Sequence, residues 1–169
     1  MDDLTLQDLA IKVGSALTQQ GLMLASAESC TGGWLGQTIT SIAGSSAWYE
    51  RGFITYTDIS KREMLGVNST TLEQYGAVSE EIAYEMAEGA IVRSHVQVVV
   101  SVTGIAGPGG GTAKKPVGMI CFAWIMKDGL ARTETRYFSG SREEIRQQAV
   151  AEALQGVIDL LHGIPPMVA

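Results

Sequence analysis

Imidazoles and thiols are scarce in this chain of 169 residues, which holds 2 histidines and 2 cysteines. Neither Cys30 nor Cys121 belongs to a CxxC or CxxxxH arrangement, which argues against a zinc site and predicts two free thiols. His95 and His162 stand alone, too few for a histidine-rich centre, so no metal and no cofactor is expected. Basic charge is sparse as well: Lys+Arg number 12 against Asp+Glu 18, a net charge of −6, and the longest basic run is Lys114-Lys115. Because non-specific nucleic-acid affinity comes from surplus cations releasing counterions, nucleic acid is not an expected partner. No apolar run approaches the ~20 residues a membrane helix needs. Met1-Asp2-Asp3 is acidic where a secretory leader would be basic. The expectation is a cytoplasmic protein without a membrane partner.

What is present forms a core. Hydrophobic residues make up 46% of the chain and charged ones 18%, a composition that folds. Surface scaling at this length buries roughly 70% of the unfolded chain's area, enough for one domain without disulfides. The whole of 1–169 reads as that domain, with a frayed tail from about 163 that carries Pro165-Pro166.

Hydrophobic periodicity supplies the elements. Leu6, Leu9, Ala10, Val13 and Leu17 share a helical face, and Thr5-Leu6-Gln7-Asp8 resembles a capping box, predicting a first helix over 5–20. A buried strand over 22–27 follows, then a helix from Thr31-Gly32-Gly33 to Gly44 and a strand over 51–56. Short helices are predicted over 60–65 and 70–75, and a longer one from Ser79 to about His95. Val96-Gln97-Val98-Val99-Val100-Ser101-Val102 is nearly apolar throughout, so this strand is expected at the centre of a sheet covered on both faces. Strands over 117–126 and 130–138 are joined by Lys127-Asp128-Gly129, a hairpin signal. Ser141-Arg142-Glu143-Glu144 then opens a last helix through Leu161 with a capping box. The order α-β-α-β-α-α-α-β-β-β-α predicts an α/β domain, a three-layer α/β/α sandwich on a mixed sheet.

In such sheets ligands gather at the carboxyl ends of strands. Three loops qualify. Glu28 to Gly33 offers the nucleophile types Ser29, Cys30 and Thr31 before Gly32 and Gly33, whose backbone can approach a ligand or stabilise an oxyanion; the same residue types also suit an ordinary turn capped by Ser29 or Thr31. Tyr56 to Lys61 pairs a phenol with a lysine that would act as a base if buried, or stay a solvated surface cation if not. Thr103 to Gly118 contains Gly104, Gly107, Gly110 and Thr112 but matches neither a Walker loop nor a dinucleotide fingerprint; it suits close contact with a phosphate or ribose, or a mobile surface loop. His95 lies at the opposite end of its strand and His162 beside the tail, so neither is placed for a Ser-His or Cys-His pair.

Taken together, the loops resemble the family that contains the C-terminal domain of CinA and the stand-alone nicotinamide mononucleotide deamidases. The resemblance rests on Ala27-Glu28-Ser29-Cys30-Thr31-Gly32-Gly33, Gly44-Ser45-Ser46, Gly52-Phe53-Ile54-Thr55-Tyr56 with Lys61, and Leu65-Gly66-Val67. It continues through Gly76-Ala77-Val78-Ser79-Glu80, Gly104-Ile105-Ala106-Gly107-Pro108, Lys115-Pro116-Val117-Gly118, and Phe138-Ser139-Gly140 with Arg142, in order over nearly the whole chain. It implies the same three-layer fold and hydrolysis of the carboxamide of nicotinamide mononucleotide to nicotinate mononucleotide and ammonia by a Ser-Lys amidohydrolase. On this sequence it implies Ser29 as nucleophile, Lys61 as base and Tyr56 as an assisting hydroxyl. The substrate is then expected to meet Cys30, Thr31, Gly32, Gly33, Ser45, Ser46, Thr103, Gly104, Gly107, Gly110 and Thr112, with Arg142 on its phosphate. Position 58 is Asp where the resemblance implies Asn in many relatives, and a negative charge there would raise the pKa of a nearby Lys61. Position 103 is Thr where Ser is frequent. The N-terminal domain of full-length CinA has no counterpart in these residues, and its activities are not carried over. A non-catalytic nucleotide sensor using the same pocket is the alternative reading. Trp48 and Tyr49 fit a core or a dimer interface equally, and leave open an interaction surface with a second copy of the chain as the candidate partner.

Overall fold

The most apolar run of the sequence lies in the middle of the sheet. In the computed structural model, which describes residues 3–163, it forms β3 (Val98–Gly104), all but the last residue of which is buried. β3 pairs in parallel with β1 (Leu24–Glu28) and antiparallel with β4 (Met119–Met126), while β2 (Tyr49–Ile54) and β5 (Ala131–Tyr137) are the edges, giving the order β2-β1-β3-β4-β5. β1 and β2 are also parallel, and β4 and β5 antiparallel, so the sheet is mixed as its sequence pattern predicts. Asp128-Gly129 makes the hairpin turn between β4 and β5, with Gly129 at φ 103°.

Helices cover both faces. α1 (Asp3–Gln20), α2 (Trp34–Thr40) and α6 (Arg142–His162) lie on one, where Leu17, Leu35, Ile39, Val150 and Leu154 pack with Val100, Phe122 and Trp124 of the sheet. α5 (Glu80–Val92), with α3 (Asp58–Leu65) and α4 (Ser69–Tyr75), covers the other through Ile82, Ala83 and Met86 against Ala25, Val99 and Ala123. The fold is therefore the expected three-layer α/β/α sandwich in one domain. Among the described residues no helix is long and apolar enough to cross a membrane.

Boundaries differ from the sequence pattern where caps differ. α1 starts at Asp3, ahead of the expected Thr5 start, whereas Ser141 and Glu144 form the predicted capping box of α6. α2 is shorter than expected: it opens at Trp34, stops at Thr40, and a separate 3-10 turn occupies Ser45–Ala47. Trp48 is buried in the core, and the partly buried Tyr49 packs against it with its hydroxyl bonded to Ser26 Oγ at 2.7 Å. The tail expected to fray lies, apart from Gly163, outside the described residues.

Candidate active site

Three parallel strands end side by side, and the chemistry begins where they stop. Ser29 is the first residue after β1; its N–H donates to Val102 O of β3 at 2.9 Å, while Thr55 N–H just after β2 donates to Glu28 O at 2.8 Å. These ladder bonds hold Ser29 and Thr55 at the edge of a rigid sheet. α3 follows, started by a reciprocal capping box between Thr57 and Ser60, and its next residue, Lys61, points inward.

Lys61 is 1% exposed. Its Nζ donates to Ser29 Oγ at 2.9 Å and to Thr55 O at 3.0 Å, both neutral acceptors. Burial pushes its pKa below the ordinary lysine value, because the ammonium loses hydration that these two partners do not replace. Asp58 and Cys30 pull in the opposite direction, as expected for Asp58, but burial outweighs them. A buried lysine bonded to a serine hydroxyl can take that proton when neutral.

Cys30 sits beside the pair without competing for its role. Its thiol is buried and pushed up to about 12, chiefly by desolvation, so it stays protonated and poorly nucleophilic near neutral pH. Cys30 and Cys121 are both free, as expected.

The nucleophile loop is organised by a residue that no short motif of the sequence marks. Glu28, 2% exposed, accepts from Thr31 Oγ1 at 2.6 Å and from the N–H groups of Gly33 at 3.1 Å, Leu35 at 3.0 Å and Gly36 at 3.0 Å. Its carboxylate thus caps α2, the task expected of Ser29 or Thr31, and satisfies amides that would otherwise be orphaned. Gly32 N–H donates to Ser29 O at 3.1 Å and Trp34 N–H to Thr31 O at 3.0 Å. Cys30 lines the cavity, and among the described residues no carbonyl or carboxylate is bonded to its N–H.

A cavity of about 290 Å³ opens over the pair, near the small end of the size range of ligand sites. Of the expected residues, Ser29, Cys30, Tyr56, Lys61, Thr103, Gly104, Gly107, Gly110 and Arg142 line it. Asp58, Ala77, Val78 and Ile105 line it too, and the last two give the wall an apolar part. Thr103 Oγ1 is committed to Ala77 O at 2.9 Å.

Arg142, the first residue of α6, reaches over the rim. It donates to Gly107 O at 2.7 Å and to Tyr56 hydroxyl at 3.0 Å. Tyr56 is 58% exposed and lines the mouth of the cavity, where its hydroxyl accepts from Arg142.

Ser45 and Ser46 are not part of this cavity. They precede β2, and because β2 runs parallel to β1 they fall at the other end of the sheet from Ser29. Thr112 is also outside it, its hydroxyl accepting from Lys115 N–H at 3.0 Å in a local turn. Thr31, Gly32 and Gly33 lie under the loop rather than on the cavity wall. Arg146, a second residue to which the sequence gave no role, donates to Cys30 O at 3.0 Å and Thr31 O at 3.1 Å from α6. No periodicity or short motif could point to it, since its partners are backbone atoms more than a hundred positions away in the chain.

The CinA C-terminal domain family matches residues 6–161. The nicotinamide-nucleotide amidohydrolase PncC of Enterobacter agglomerans is 50% identical over 155 residues, covering 92% of this chain and 94% of that protein. The protein of the same name from Escherichia coli (strain K12) matches with 50% identity over 92% of this chain and 94% of its own length. Among solved structures, competence/damage inducible protein CihA from Agrobacterium tumefaciens superposes with a TM-score of 0.89 at 47% identity, over 92% of this chain and 95% of that one.

Proposed function

Because the chain belongs to the CinA C-terminal domain family, and relatives covering its length are named nicotinamide-nucleotide amidohydrolases, we propose that it hydrolyses the carboxamide of nicotinamide mononucleotide to nicotinate mononucleotide and ammonia. The observation that carries the chemistry is the buried contact of Lys61 Nζ with Ser29 Oγ at 2.9 Å.

Neutral Lys61 takes the Ser29 proton as Oγ bonds to the amide carbon, and the carbonyl π pair moves onto oxygen. The N–H of Cys30 receives that oxygen, a contribution of about 2.7–4 kcal/mol per donor in a comparable hydrolase. Collapse of the intermediate breaks the C–N bond, and the Lys61 ammonium returns its proton to the departing ammonia. Water then attacks the acyl ester with Lys61 again as base, releasing the carboxylate and restoring Ser29. Val78 and Ile105 offer apolar contact to the ring, and Arg142 with the loop from 104 to 110 receives the phosphate. Tyr56 holds the Arg142 guanidinium in place.

Ammonia release from nicotinamide mononucleotide in the presence of a chelator tests this reading, with free nicotinamide as control. Release from the mononucleotide is expected, and Ser29→Ala and Lys61→Ala are each expected to lower kcat by at least about 10³-fold while the thermal midpoint shows a folded protein. Near wild-type kcat in Ser29→Ala would move the nucleophile elsewhere. Nucleotide-dependent thermal stabilisation without product would replace the enzyme by a sensor.

A further inference from the structure

Asp58 is the one carboxylate among the residues that line the cavity, where Lys61 and Arg142 are the two cations. It is exposed, and among the described residues its carboxylate makes no hydrogen bond and no salt bridge. The start of α3 does not need it as a cap, because Thr57 and Ser60 already form the capping box there. We propose that Asp58 is a specificity-determining residue that supplies the counter-charge for a cationic pyridinium ring; the inference rests on the amidase reading above.

The substrate of that reading carries two opposite charges. Its phosphate is negative, and its ring nitrogen, bonded to three carbons, makes the ring a cation. Arg142 and the loop from 104 to 110 answer the first charge. For the second, no side chain lining the cavity other than Asp58 has the required sign. A ring laid against Val78 and Ile105 sheds water, and a cation that does so is costly to hold without an opposite charge. Lys61 cannot help, being neutral when it acts as base and repulsive as an ammonium.

The position of Asp58 suits the task. Lys61 Nζ meets Ser29 Oγ at 2.9 Å, which fixes where the carboxamide carbon must come. The ring nitrogen then lies two ring bonds beyond the carbon that bears the amide. Asp58 precedes Lys61 by three residues on α3, on the same face and about 4.5 Å away along the helix axis, a step on the scale of the ring itself. Its charge acts on Lys61 in the direction that favours a cation, so its field reaches the reacting end of the cavity.

A charge-reading residue separates ligands of the same outline. The 1,4-dihydro form of nicotinamide mononucleotide keeps the carboxamide, ribose and phosphate, but its ring is neutral. The test measures binding of both forms by calorimetry in Ser29→Ala, where turnover is blocked, and in Ser29→Ala combined with Asp58→Asn. Asparagine keeps the outline of aspartate at an exposed position and removes the charge. The mononucleotide is expected to bind about tenfold more weakly in the double variant, with the dihydro form within about twofold of its affinity for Ser29→Ala. Asp58→Asn also lets the Lys61 pKa fall, which removes positive charge near the ring and favours binding, so a selective loss cannot arise through Lys61. Equal weakening of both forms would assign Asp58 to the ribose or to the shape of the loop and overturn the inference. Unchanged affinity for the mononucleotide would overturn it as well. Ammonia release by the wild type together with either of those results sinks this inference alone. A wild type that releases no ammonia, with neither form bound by Ser29→Ala, sinks the amidase reading and this inference with it.

Discussion

At the scale of single residues the protein tolerates a group that folding alone would reject. A lysine buried to 1% exposure, bonded to a hydroxyl and a carbonyl, has lost the hydration of its ammonium with no carboxylate bonded to it. The consequence is a lowered pKa, against which the Asp58 carboxylate acts in the other direction. The sign of a test follows. The base works unprotonated, so the rate rises as pH climbs through the Lys61 pKa; Asp58 stabilises the ammonium and holds that pKa up. Asp58→Asn removes the negative charge, and the acid limb of kcat/KM is expected to move to lower pH; a limb that stays or moves upward would detach it from Lys61. Local patterns in the chain point to the loops of this site but leave Ser29, Cys30 and Thr31 open as nucleophiles or caps and Lys61 open as base or surface cation; the family resemblance is what singles out Ser29 and Lys61. What could not be read was direction: the Tyr56 phenol turns to Arg142 because the rim offers it a cation, and no local pattern records that bond.

At the scale of elements, the turn from β1 into α2 depends on one carboxylate. Glu28 gathers the N–H groups of Gly33, Leu35 and Gly36 with the Thr31 hydroxyl, and Gly33 takes φ 105° to let the helix begin there. The same sequence segment led to the expectation of a Ser or Thr cap, because those residues usually cap the helix they immediately precede. A cap from the end of the preceding strand is a tertiary arrangement and leaves no spacing signature. The Ser141 box, by contrast, is local and was legible in full. Ser45 and Ser46 lie away from the cavity for a related reason: they belong to a matching segment, but the parallel course of β1 and β2 carries whatever precedes β2 to the far end of the sheet. Glu28→Ala should strand several buried donors at once, and urea unfolding is expected to show a loss of about 3 kcal/mol or more. Glu28→Gln retains the shape with weaker acceptors and should lose less. Equal stability of Glu28→Ala and wild type would mean that α2 starts without this cap.

At the scale of the whole molecule, the site exists only when distant parts of the chain are assembled. Ser29 and Lys61 belong to the sheet edge and α3, whereas Arg142 arrives with α6 and meets the 104–110 loop through Gly107 O. A ligand that touches Lys61 at one end and Arg142 at the other would bridge these elements, and would bind the folded chain but not the unfolded one. Binding of that kind stabilises by about 2.7 kcal/mol when ligand stands 100-fold above its dissociation constant. In Ser29→Ala, where turnover is blocked, nicotinamide mononucleotide is therefore expected to raise the thermal midpoint in a concentration-dependent way. Free nicotinamide, lacking the ribose phosphate, cannot span the distance and should raise it far less at the same concentration. Adding Arg142→Ala to the Ser29→Ala chain should shift the mononucleotide dependence to higher concentration, because the phosphate then loses a charged donor that can engage it at two points. If the double variant responds as Ser29→Ala does, the phosphate is held by the amides of the loop alone, and Arg142 serves only to tie Gly107 to Tyr56.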